Sequence, residues 1–173
     1  MKYANIKKRD IANGTGVRVT LFVSGCTHAC PGCFNEQAQH FSYGEEFTEQ
    51  TIEELLEALK PSFISGLTLL GGEPFEPVNQ QGLLPLLKRV KSSYPQKTVW
   101  AYTGYTFEKD LLSSSRARCA YTDELLRYTD VLVDGEFIEK YKDITLKFRG
   151  SSNQRIIDVQ KSLDAGHTVL LNS

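Results

Sequence analysis

Three thiols fall within eight residues in Cys26-Thr27-His28-Ala29-Cys30-Pro31-Gly32-Cys33, and no other feature restricts what this chain can fold into as much. Thiols that close can converge on one inorganic centre, provided that the loop carrying them is held on both sides. Their spacing, three residues and then two, is not that of a zinc knuckle built from paired Cys-x-x-Cys hooks. Three protein ligands also invite a fourth that is not protein. A four-iron cubane held by three cysteines keeps one iron open, and an open metal position lets a substrate bind the metal directly. The pattern points to chemistry rather than to stapling. A zinc site completed by His28 or His40 is the alternative that these residues leave open.

Composition limits what the cysteine loop can be attached to. At 173 residues, 40% hydrophobic and 24% charged, the chain can build one core but not two comfortable ones, so residues 1–173 are expected to form a single domain. A net charge of -1 and a pI near 6.3 give no electrostatic footprint for nucleic acid. No run of roughly 18 apolar residues is available to span a bilayer. Met1 to Lys8 has the charge of a signal peptide without its apolar core, which predicts a cytoplasmic protein with reduced thiols. Four cysteines are too few for a disulfide scaffold, and bridges within one short loop would be strained, so metal or redox chemistry is favoured.

The rest of the chain supplies the frame. Val17 to Ser24 reads as a strand that becomes fully buried toward its end, and the cysteine loop follows directly. Thr51 to Glu54 offers a capping box for a helix with an Ile52, Leu55, Leu56, Leu59 stripe that Pro61 ends. Leu67 to Leu70 is a short buried strand running into Gly71-Gly72-Glu73-Pro74. Leu83, Leu86, Leu87 and Val90 recur at helical spacing, with Pro85 tolerable only in the first turn. Lys97 to Tyr102 predicts a third strand ending at Thr103-Gly104, Phe107 to Arg127 a helical region, and Val131 to Val133 a fourth strand ending at Asp134-Gly135. Arg155 to Val159 and His167 to Leu171 predict further strands around a short helix from Gln160 to Ala165. There is no internal repeat, and Ser113-Ser114-Ser115 marks a surface loop. Alternating strands and helices predict an α/β fold, a mostly parallel sheet with crossover helices. Functional loops then belong at the carboxyl ends of the strands, where each of these glycine-bearing turns falls.

Cys26-x3-Cys30-x2-Cys33 after one strand, followed by Gly71-Gly72-Glu73-Pro74 after the next, resembles the radical S-adenosylmethionine (SAM) superfamily. Further blocks narrow the likeness: Asn13 to Arg18, Leu21 to Cys26, Pro31 to Asn35, Tyr102 to Tyr105, Asp130 to Gly135 and Phe148 to Gln154 resemble the glycyl radical enzyme activases that serve anaerobic ribonucleoside-triphosphate reductase. Gly32 stands where the superfamily usually carries an aromatic residue, a departure that the reductase activators share. The chain continues past Gln154 to Ser173, farther than the resemblance leads one to expect. The fold so implied is a single-domain partial (β/α) barrel of the radical SAM type, since 173 residues fall short of the roughly 250 of a closed eightfold barrel.

The resemblance implies that Cys26, Cys30 and Cys33 hold three irons of a 4Fe-4S cluster while SAM chelates the fourth. Reductive cleavage of SAM then gives a 5'-deoxyadenosyl radical that takes hydrogen from a glycine of the reductase's large subunit. A low-potential donor such as flavodoxin would supply the electron. Gly71 and Gly72 would let the methionine end approach backbone, Glu73 would accept from its ammonium, and Gly32, Cys33 and Phe34 would meet the adenine. Asp134 is a further candidate SAM contact. Beside these stand plainer readings: Gly-Gly before Pro is also an ordinary turn, and Asp134-Gly135 another. His28 and His40 read as loop or surface residues, His167 as a strand edge, Cys119 as a small apolar filler or surface thiol, and Trp100 as core. A different small radical SAM enzyme and a zinc-binding interaction module are the alternative functions. Arg149 to Gln154 has no assigned chemistry.

Overall fold

The computed structural model describes residues 1–171. Its frame is one seven-stranded sheet in the order β3-β1-β2-β4-β5-β6-β7. The four central strands, β2 (Val17–Val23), β4 (Ile64–Gly71), β5 (Thr98–Tyr102) and β6 (Val131–Asp134), run parallel. The flanking strands β1 (Lys2–Asp10) and β7 (Arg155–Asp158) pair antiparallel with β2 and β6, and the two-residue β3 (Glu45–Glu46) finishes one edge. This is the expected mostly parallel sheet with crossover helices, a partial (β/α) barrel of the radical SAM type.

Alternation along the strands separates two faces, because successive side chains of a strand point to opposite sides. Val19, Leu21, Leu67, Leu69, Val99, Ala101 and Leu132 join the main core under the helices. The helices are α1 (Glu49–Leu59), α2 (Pro77–Ser93), α3 (Thr122–Tyr128) and α4 (Val159–Ala165). The other face carries Arg18, Thr20, Thr68, Trp100, Val131 and Val133, all buried. Trp100 is core, as read, and its ring meets Phe148 edge-on at 5.3 Å.

Several elements differ from their sequence expectation. β1 is an extra strand that the charged N-terminal run conceals, since only one of its nine residues, Asp10, is buried. The helix cap is Thr48, which exchanges bonds with Thr51, so the capping box begins one turn earlier than the Thr51 to Glu54 pattern. α2 starts at Pro77, which leaves Pro85 in the helix interior rather than the first turn; it faces solvent, where water can satisfy the carbonyl that loses its partner. Phe107 to Arg127 is not one helix but a π-helical turn (Phe107–Leu111), a loop and α3. His167 to Leu171 supplies a single bridge, Leu170 to Ile157, instead of a strand, so His167 follows the left-handed Gly166 cap of α4 and does not edge the sheet.

Candidate functional site

The turns after β2, β4, β5 and β6 meet at the carboxyl end of the sheet around an open cavity of about 620 Å³. Cys26, Cys30 and Cys33 line it together, all free thiols and all partly buried. Facing them are Gly71, Gly72 and Glu73, while Phe34 is at the rim, 72% exposed, its ring 5.5 Å from that of Phe137. Gly32 is not part of the lining; its left-handed φ of 74° brings its Cα beside the Glu139 carboxylate.

Backbone bonds pin the cysteine loop. The Gly25 and Cys26 amides donate to the Ala38 and Gln39 carbonyls at 2.7 and 3.0 Å, and the Glu73 amide donates to the Gly25 carbonyl at 2.8 Å. Thr27 donates from its amide and its hydroxyl to Glu76 Oε1, at 2.9 and 2.7 Å. Asn79 Nδ2 donates to the carbonyls of both Ser24 and Glu73. The loop and the Gly71 to Glu73 turn are therefore one fastened unit. A Cβ on Gly71 would stand 2.6 Å from Val23 backbone atoms, and one on Gly72 would stand 2.6 Å from the Gly25 oxygen. Both glycines are demanded by packing inside the protein, a reason that needs no ligand and that the sequence reading did not contain.

Glu73 is 1% exposed and already accepts three bonds, from the Phe75 amide at 2.9 Å, the Gly104 amide at 2.8 Å and His28 Nε2 at 2.9 Å. His28 belongs to a loop, as expected, but its side chain is 5% exposed rather than a surface group. Its Nδ1 meets Glu136 Oε1 at 3.0 Å and its ring lies 4.4 Å from that of Tyr105. Burial alone would lower the His28 pKa, but the bonds and charges of Glu73 and Glu136 outweigh it, and the pKa rises. With both ring nitrogens committed, His28 has none left to complete a zinc site. Among the described residues, no three His, Cys, Asp or Glu side chains lie as one metal ion would require.

Burial pushes the Cys26 thiol up to about 12, with the charges of Glu73 and Glu76 adding to it, and burial also raises Cys30. Such thiols ionise only against strong positive charge, which metal ions supply.

Asp134 is not brought into the cysteine cavity. It is 1% exposed and spent on protein partners, the Phe107 amide at 2.8 Å and Arg155 Nε at 2.9 Å. It borders a second cavity of about 580 Å³ behind His28. Cys119 is also apart, its thiol donating to Gln80 Oε1 at 3.4 Å. Arg149, Gly150 and Gln154, left without a role by the sequence, line the cysteine cavity. Gln154 Oε1 accepts from the amides of Gly150 and Ser151, and its Nε2 donates to the Gly135 carbonyl, which folds the 136–150 segment over one wall. Phe148 bends that segment with a left-handed φ of 61°, uncommon for a bulky residue. No helix among the described residues is long and apolar enough to cross a membrane.

Comparison with known proteins agrees with this geometry. The family described as "4Fe-4S single cluster domain" matches residues 12–157, so the chain has the general makeup of a 4Fe-4S-binding domain. The anaerobic ribonucleoside-triphosphate reductase-activating protein of Haemophilus influenzae is 44% identical over 158 residues, 90% of this chain and 97% of that one. Its counterpart in Enterobacteria phage T4 is 41% identical over 90% of this chain and 93% of its own. That of Escherichia coli K12 is 37% identical over 89% and 96%.

Proposed function

This chain belongs to the family of anaerobic ribonucleoside-triphosphate reductase-activating proteins, and from that premise we propose that it installs a glycyl radical on the large subunit of such a reductase. The observation that carries the reading is the shared cavity, where three thiols and the Gly71 to Glu73 turn face one space.

The residues fit a 4Fe-4S cluster on Cys26, Cys30 and Cys33. All three thiols line one cavity, and three cysteines on one short loop are a ligand set that such a cluster takes. His28 stays with its carboxylates, so the ligand set is three sulfurs and one position for SAM. SAM would lie along Gly71, Gly72 and Glu73 with Cys33 and Phe34 beside its adenine. Gly32 contributes through the left-handed turn that leads into Cys33. When bound, the cluster and SAM would supply, with one electron from a low-potential donor such as a flavodoxin, the 5'-deoxyadenosyl radical chemistry by which a hydrogen atom of the partner's glycine would pass to 5'-deoxyadenosine, with methionine released.

The protein's own part is aim and exclusion. Glu73 holds the turn after β4 and the Gly104 turn after β5 to His28, so the cavity's backbone is fixed before SAM arrives. One side stays open, which suits a large partner whose glycine enters and seals the site. Residues 1–173 would serve as one radical SAM domain in the cytoplasm.

The test is electron paramagnetic resonance on anaerobically reconstituted protein, SAM, reductant and a cognate reductase. We expect a carbon-centred doublet on the reductase that collapses when its glycine is deuterated, with 5'-deoxyadenosine released. SAM cleavage that leaves the reductase radical-free and alters a small molecule instead would make this a different radical SAM enzyme.

A further inference from the structure

His28 stands between two of the three cysteines, and its ring touches elements that the cluster itself would not explain. Its Nε2 faces Glu73 Oε2 at 2.9 Å, on the turn after β4, and its Nδ1 faces Glu136 Oε1 at 3.0 Å, at the root of the 136–150 segment after β6. Glu73 Oε2 also takes the Gly104 amide, after β5. One imidazole thus joins the turns of all four parallel strands, since it sits on the turn after β2 itself. Gly104 makes room for it: a Cβ there would lie 2.7 Å from the ring. Ala29, next along, has a left-handed φ of 52°, a conformation of the kind that persists only where the surroundings enforce it.

We propose that His28 is a positioning residue: bridging Glu73 and Glu136, it holds the cysteine loop in register with the Gly71 to Glu73 turn and couples that loop to the 136–150 wall of the cavity. The inference rests on the activase reading and deepens it. A plain staple would need only Glu73, which is buried. Glu136 is different, because its side chain is 54% exposed and adds nothing to the core, yet it takes the second ring nitrogen. That bond links the wall that a docking partner would press on to the backbone that carries Cys26 and Cys30. Partner contact then reaches the site through three side chains, Glu136, His28 and Glu73, each in direct contact with the next.

The experiment uses the full chain, reconstituted anaerobically, as wild type, Glu136→Ala, His28→Leu and His28→Gln. Four quantities are read for each: iron and sulfide per chain, melting temperature, the resonance spectrum of the reduced cluster with and without SAM, and 5'-deoxyadenosine formed per reductase radical. Glu136→Ala is expected to melt and bind iron as wild type while releasing several-fold more 5'-deoxyadenosine per radical. His28→Leu is expected to keep most of its iron, shift the SAM-bound spectrum and weaken SAM binding by about tenfold. His28→Gln keeps one donor toward Glu73 and should recover most of that SAM affinity. Wild-type SAM response in His28→Leu, or wild-type coupling in Glu136→Ala, overturns the proposal. So does loss of iron in step with loss of fold in both His28 variants, which is the signature of a staple. A wild-type spectrum that ignores SAM would instead bring down the activase reading, and this inference with it.

Discussion

A Cβ at position 72 would stand 2.6 Å from the Gly25 oxygen, 2.8 Å from the Ala38 oxygen and 2.9 Å from the Gly25 nitrogen. All three are backbone atoms of the segments that hold Cys26, so none can swing away as a flexible side chain could. Gly72→Val is therefore expected to lower iron content and melting temperature together, with SAM binding lost as a consequence. Gly166→Ala is the control: its φ of 71° makes alanine strained by about 1 kcal/mol, but nothing lies within 4 Å and Gly166 does not line the cysteine cavity. Iron analysis and thermal melts decide the matter; a folded Gly72→Val protein with full iron and weak SAM binding would show that ligand approach, not loop packing, sets the requirement. At this scale the convergence of the cysteines and the glycine pair on one cavity was legible because their information is local, in spacing and in position after a strand. The bridge that His28 makes was not legible, since its partners Glu73 and Glu136 are distant in sequence and only the fold assembles them. The partners of Asp134 were hidden for a related reason: a strand-end aspartate looks the same in sequence whether it faces a ligand or, as here, Arg155 and the Phe107 amide.

Among the elements, α1 and β7 were both expected from the sequence, but only the apolar stripe of α1 also told what holds the element in place. The stripe Ile52, Leu55, Leu56, Leu59 gave α1 its place, and all four residues are buried as the stripe requires. β7 depends instead on charge. Arg155 donates from Nη1 and Nη2 to the two Glu108 oxygens at 2.9 and 2.7 Å, a bidentate pair that ties β7 to the π-helical turn, and Thr168 donates to the same carboxylate. The Arg155 bonds hold the Glu108 carboxyl down at about 2, against 4.5 for the free group. A depressed acid contributes its stability in full above the unfolded value and loses it as pH falls through the folded one. Stability at this tether should thus begin to fall below roughly pH 4.5 and go on falling toward pH 2. Because the Glu108 side chain is 40% exposed, the effect is screened and modest. Denaturant unfolding across that range should show a shallower acid slope in Glu108→Gln than in wild type; equal slopes would mean that the pair contributes nothing to folding.

Across the whole molecule the carboxyl ends of the parallel strands carry the site, and their amino ends are drawn together by one buried cation. Arg18 is 0% exposed on β2, yet its guanidinium reaches β4 through Thr68 Oγ1 at 2.8 Å and the Leu67 carbonyl at 2.9 Å. It reaches β5 through the Thr98 carbonyl at 2.7 Å and the Thr98 hydroxyl at 3.0 Å. Glycines make the space, since a Cβ on Gly66 would meet Arg18 Nη2 at 2.8 Å and one on Gly14 would meet Cδ at 2.8 Å. The stretch from Asn13 to Arg18 therefore matched a family pattern for a reason that only the packed sheet reveals. Burial pushes the Arg18 pKa down to about 10, so it remains charged at neutral pH, and its hydrogen bonds go to neutral oxygens. Arg18→Lys keeps the charge but cannot reproduce a planar fork, so several carbonyls and hydroxyls lose their donors inside the sheet. Each orphaned group costs about 1–3 kcal/mol, and a total of about 2–4 kcal/mol would lower the melting temperature by roughly 5–15 °C in a chain of this size. Because the network lies at the end of the sheet away from the cysteine loop, the folded fraction of Arg18→Lys should still take up full iron. An unchanged melting temperature would deny Arg18 its structural role, and iron loss from protein that is still folded would show that the two ends of the sheet are not independent.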